Sequence, residues 1–170
     1  MAGRSRGDQN PGSCPVAAPG ARPTKGRPMT PDQFQELCRG TARALGLREP
    51  NALFNGGEVI LDGVKVGAFH EEDQDPEGVF CYADLGPVGP DANPAELLEE
   101  VLAINLSLDG ERGEVIGLER ESRHLVLRVR LNDAQEPMHE GRLADELRRC
   151  AAQANALYDS ALSGVQRPTA

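Results

Sequence analysis

The sequence has no tryptophan and few other aromatics, four phenylalanines and two tyrosines among 170 residues. A core must therefore be aliphatic, built from Leu, Val, Ile and Ala. No run approaches the ~18 apolar residues of a membrane span. Residues 1–28 lack the apolar stretch of a signal peptide. The four cysteines, Cys14, Cys38, Cys81 and Cys150, show no metal-ligand or redox spacing. Cys38 and Cys150 fall on apolar helix faces and Cys81 in a strand pattern, as expected of buried free thiols in a reducing compartment. No phosphate-binding loop is present, because Gly56-Gly57 is not followed by Gly-Lys-Ser/Thr. We therefore expect no cofactor and no metal.

Acid is in excess, with a net charge of −9, but it is unevenly spread. Residues 1–28 carry Arg4, Arg6, Arg22, Lys25 and Arg27 against Asp8 alone, giving +4, and the remainder carries −13. An acidic body repels nucleic acid and anionic lipid, so neither is an expected partner. The Gly-, Pro- and Arg-rich segment 1–28 has no hydrophobic period and is expected to be a disordered basic tail.

Order begins at Thr30-Pro31-Asp32-Gln33, a capping box with Pro at the first helical position. Phe34, Leu37, Cys38, Thr41 and Leu45 then share one helical face. Three strands follow, over Glu58–Asp62, Val64–His70 and Val79–Leu85, and Asp62-Gly63 marks a hairpin. In the third strand Val79, Cys81, Ala83 and Leu85 face one way, Phe80 and Tyr82 the other. Asn93-Pro94-Ala95-Glu96 opens a second helix whose leucines and valines cover more than one stripe. Such a helix must be buried on more than one side, and a domain this small supplies one. Strands at Glu114–Arg120 and His124–Leu131 and a closing helix at Met138–Leu162 complete an order α-β-β-β-α-β-β-α. The expected fold is α+β, an antiparallel sheet with three helices, over residues 29–162, with 163–170 frayed.

Searches for chemistry return little. Asp73–Gly78 resembles the start of a calcium loop, but Asp84 stands where the bidentate Glu belongs and both flanks alternate like strands. His70, His124 and His139 lie far apart with no recognisable nucleophile setting. Glu96, Glu99 and Glu100 share a helix edge, which reads as a solvated face. Asn105 is the odd polar residue in the second helix and reads either as a packing defect or as a register-setting residue at a dimer contact.

The element order, the first helix MTPDQFQELCRGTARALGL, the segment LLEEVLAINLSLDGERGEVIGLERESRHLVLRVRL and the closing helix LADELRRCAAQANALYDSAL together resemble the class I type III secretion chaperones, the Tir-chaperone (CesT-type) family. The resemblance covers about Met29 to Leu162. The long basic tail departs from the pattern, and where many relatives carry an aromatic, often Trp, in the last helix, Tyr158 is the nearest candidate here.

The resemblance implies a cytoplasmic bacterial homodimer, not an enzyme, that holds the N-terminal region of a secreted effector extended and export-competent. The secretion ATPase or sorting apparatus would be a further partner. For the dimer contact we assign Leu98, Val101, Leu102 and Asn105 of the second helix, with Ile116 and Leu118 from the next strand. For effector binding the candidates are Phe34, Leu37, Leu45, Val59, Leu61, Val64, Val66, Phe69 and Phe80, each of which also fits a plain core. Two other readings stay open. An enzyme would show a deep polar pocket gathering two histidines and a carboxylate. An adaptor or regulatory protein of the same fold would show one flat polar patch for a folded partner.

Overall fold

The computed structural model describes residues 28–54, 56–89, 92–108, 113–132 and 137–160. The elements are α1 (Pro31–Ala44), β1 (Glu58–Leu61), β2 (Val64–His70), β3 (Gly78–Pro87), α2 (Pro94–Ser107), β4 (Val115–Leu118), β5 (His124–Asn132) and α3 (Glu140–Ser160). This is the expected α+β order. The expected tail, apart from Pro28, and the frayed end at 163–170 lie outside the described residues.

Local chemistry sets the element ends. The Thr30 hydroxyl accepts from the Gln33 N–H while the Gln33 side chain accepts from the Thr30 N–H, so the capping box forms. Asn93 accepts from the Ala95 N–H and starts α2. Asp62 and Gly63 both take positive φ, 49° and 78°, as a two-residue hairpin turn with right-handed strand twist demands. β4 is shorter than the alternation suggests. The Glu119 carboxylate accepts from the N–H groups of Glu121 and Ser122 and folds the chain into a turn straight after Leu118.

The strands form one antiparallel sheet in the order β1-β2-β3-β5-β4. Its pleat sorts side chains between two faces. Val59, Val64, Val66, Ala68, Cys81, Ala83, Leu127 and Val129 point to the face covered by α3, with α1 packed beside α3. Ala144, Ala151 and Ala154 of α3 are fully or almost fully buried, and their small size lets the helix lie close on the strands. Cys38, Cys81 and Cys150 are buried as free thiols in this layer. Burial pushes Cys38 and Cys150 up to about 12 and Cys81 up as well, so these thiols are unreactive.

α2 departs from the sheet-covering role that its composition suggests. Among the described residues it packs against β4 alone, with Leu97, Val101 and Ile104 turned inward. It runs along the sheet's edge, and among the described residues the opposite face of the sheet carries no helix.

Candidate functional site

The helix-free face is aromatic at its centre. Phe69 of β2 stacks on Phe80 of β3 with ring centroids 5.1 Å apart, and Tyr82 is tilted against Phe69 at 6.0 Å. Tyr82 lies over Gly67, its cross-strand partner. A Cβ there would sit 2.5 Å from the ring, so the glycine lets the tyrosine lie flat here and a larger residue would push it aside. From β5 the Arg128 guanidinium reaches across, 3.8 Å from the Phe80 centroid and 5.0 Å from that of Phe69. Glu71 holds this arginine at 3.4 Å. Arg128 thus shields an apolar pair that would otherwise face water.

Beside this cluster lies a cleft of about 500 Å³, lined among others by Tyr82, Leu118, His124, Val126 and Arg128. His124 Nδ1 is 2.8 Å from Asp84 Oδ1, which also accepts the Gly86 N–H at the β3 bulge. Burial and nearby Glu58 push the Tyr82 phenol up to about 12, so it stays a neutral donor. The Ser122 hydroxyl accepts from the His124 main-chain N–H rather than meeting the ring. His70 lies at the far end of β2 and His139 precedes α3. The cleft gathers a single histidine. Among the described residues no cluster of three or more His, Cys, Asp or Glu could hold a metal ion.

The second surface is the outer side of α2. Leu98, Leu102 and Leu106 recur every fourth residue and are 52, 68 and 91% exposed, and Val115 of β4 is also exposed. Among the described residues α2 packs against β4 alone, so this leucine stripe is a candidate interaction surface. Asn105 sets the helix against the sheet. Its amide donates to the Ile116 C=O at 3.0 Å and accepts from the Ile116 N–H at 2.7 Å. These are the strand groups that face away from β5, so the side chain closes the β4 edge as one residue of a neighbouring strand would. Asn105→Ala should leave both groups unpaired and lower stability by about 1–3 kcal/mol in denaturant titration. An unchanged midpoint would show that water replaces the amide without cost.

The residues assigned from the sequence divide between inside and outside. Of the dimer set, Leu98 and Leu102 are exposed, Val101 and Ile116 are buried within the chain, Leu118 is half-buried, and Asn105 is bonded to its own β4. Of the effector set, Val59, Val64 and Val66 belong to the core beneath the helices, and Phe34 of α1 packs with that core while one edge of its ring lines a small cleft beside His70. Leu37, Leu45 and Leu61 are half-buried against the same core. Phe69 and Phe80 are on the open face, with Phe80 under Arg128. Sequence reasoning missed Leu106, Val115, Tyr82 and Arg128. The every-fourth spacing of Leu98, Leu102 and Leu106 was the available signal for the first.

Among solved structures the chain is similar to "Crystal Structure of the ExsC-ExsE Complex", with a TM-score of 0.57, 16% identity, and 76% of this chain and 94% of that chain covered. It is less similar to "Structure of the HopA1-SchA Chaperone-Effector Complex", at 0.49 and 17% identity, covering 75% of this chain and 94% of the other. For the heterodimeric ExoU-SpcU complex from the type III secretion system of Pseudomonas aeruginosa the values are 0.43 and 21%, with 71 and 95% covered. At these identities the first likeness shows the fold. No curated protein matches the sequence significantly. The pattern that defines the Tir chaperone protein (CesT) family matches residues 37–165, most of the chain, and the protein belongs to that family.

Proposed function

We propose that the protein is a cytoplasmic type III secretion chaperone that works as a homodimer through α2. It holds the N-terminal region of a secreted effector in extended form until export, and it does so by binding, without catalysis. Family membership and the likeness in fold to one partner of a two-protein complex support the class. The observation that carries the mode of binding is the helix-free sheet face beside an edge strand. α2 and Asn105 occupy the β4 edge, which leaves the outer edge of β1 for a client strand. A strand added there gains main-chain hydrogen bonds, and its alternate side chains reach the face that carries Ile60, Phe69 and Tyr82. Neither contact requires the client to be folded. The secretion ATPase or sorting apparatus would then receive the loaded complex.

The test is co-purification from the native host, with the bound polypeptide identified by mass spectrometry and its protected segment mapped by limited proteolysis. We expect one stretch near the client's N-terminus to be protected while the rest is digested. Ile60→Lys places a charge on the edge strand at a site that is 51% exposed, and should cut client recovery about tenfold without changing the fold. Full-length protection of a compact partner would favour an adaptor of the same fold, and full recovery by Ile60→Lys would refute strand addition at β1.

A further inference from the structure

The chain enters the described structure beside an aromatic cleft. The Met29 N–H donates to the Pro76 carbonyl at 2.7 Å, and the Met29 carbonyl lies 3.0 Å from His70 Nε2. His70 Nδ1 is 2.8 Å from the Gly78 carbonyl. A neutral ring donates to one of these carbonyls and an imidazolium to both. The entry point is thus pinned to the end of β2. His70 is also a wall of a cleft of about 270 Å³, together with Pro31, Phe34, Phe54, Phe69 and Glu72. Phe34 lies 6.3 Å from Phe54 and 5.8 Å from the His70 ring, so the lining is a near-continuous aromatic surface.

The turn that follows β2 is acidic, with five Asp or Glu among residues 71–77. Arg128 engages Glu71, and Arg130 grips Asp75 with two hydrogen bonds of 2.5 and 2.8 Å. Glu72 and Asp73 are exposed. The residues leading to Met29 have the complementary composition. Segment 15–27, PVAAPGARPTKGR, carries Pro15, Pro19 and Pro23 and the cations Arg22, Lys25 and Arg27, with no acid. Pro-rich chain favours the extended polyproline form, loses little entropy on docking, and is the form that aromatic-lined grooves bind. Extended at ~3.1 Å per residue the segment spans about 40 Å, ample to fold back from Met29 across the cleft.

We propose that this cleft is a docking site for the chain's own segment 15–27, with its prolines against Phe34, Phe54 and His70 and its cations facing Glu72 and Asp73. The basic tail is then an intramolecular ligand.

Cys14 allows a test in the full-length protein. The other three cysteines are buried with raised thiols, so a nitroxide reagent labels Cys14 selectively. At low salt the amide signals of Phe54, Phe69, His70 and Glu72 should lose about half their height or more, whereas a freely sampling coil would dim all surfaces around Met29 alike. The effect should vanish in the triple variant Arg22→Glu, Lys25→Glu, Arg27→Glu, which leaves the folded domain untouched. It should also vanish at about 0.5 M salt, where screening acts within a few ångströms. A sample mixing nitrogen-15 chains without nitroxide and unlabelled chains with it should show no dimming. Dimming in that mixture, indifference to charge reversal, an even spread, or no dimming at all would each overturn the proposal.

Discussion

Leu102→Glu should convert the protein from a species of twice 18.2 kDa to one of 18.2 kDa in size-exclusion chromatography with light scattering. Leu102 is 68% exposed on the outer side of α2, between Leu98 and Leu106, so within one chain a carboxylate there meets water. In the proposed dimer it would meet the partner's leucines. Burying a leucine contributes about 1.5–3 kcal/mol, and a twofold interface loses that contribution twice. Discounting for incomplete burial leaves a loss of about 4 kcal/mol, roughly a thousandfold in dimer affinity. The fold should survive, so the circular dichroism spectrum and the thermal transition of the monomer should remain cooperative. A variant that keeps the wild-type mass, or a wild-type protein that is already monomeric, would end the case for α2 as the interface. Val101 is the wrong residue for this test, despite lying in the same helix. It is 6% exposed and packs in the core, so a charge there unfolds the chain and says nothing about association.

That contrast shows where sequence reading stops. Thr30, Asn93 and Asp62-Gly63 announce element ends because caps and turns act over two or three residues, and the element order follows from them. The surplus apolar surface of α2 is also legible. Which leucines remain outside is not, because helical period gives relative angles and the inward direction is set by β4, a strand beyond an intervening loop. The bonds that Asn105 makes within the chain are hidden for the same reason: their partner, the Ile116 main chain, becomes its neighbour only when the edge strand docks. The sheet poses a similar ambiguity. Val64 and Val66 on one side, Phe69 and Phe80 on the other, make both faces of the hairpin pattern apolar. The alanines of α3 settle which face is covered, by fitting closely over the smaller side chains. Arg128 alternates as an outward strand residue, and nothing local places its guanidinium over a ring on the adjacent strand.

Arg149→Met should lower stability by about 2–3 kcal/mol and the melting temperature by roughly 10 °C. Glu114 immediately precedes β4, and its side chain is 4% exposed. Arg149 of α3 donates to it at 2.6 Å and grips Glu146 as well. Burial works against the Arg149 charge, but the hydrogen bonds it donates to Glu146 and Glu114 outweigh it and hold the guanidinium above its usual range. Gln153 turns its N–H to Glu114 at 3.0 Å, although its own oxygen is then buried without a partner among the described residues. The carboxylate therefore organises this corner, and removing its cation strands a buried charge. The figure stays at the low end because Arg149 keeps about a third of its side chain in water. Methionine preserves the stem, so lost packing contributes little. Adding Glu114→Gln should restore part of the loss, since a neutral amide needs no cation. A double variant that is less stable by the full sum of the singles would mean that the two residues do not act through each other. Because the network ties α3 to the start of β4, and β4 is the support of α2, Arg149→Met should also weaken the proposed dimer, but only as the domain loosens. Leu102→Glu should separate the subunits of the proposed dimer while the domain keeps its own transition, so the pair of variants would tell an interface residue from one that holds the helix in place.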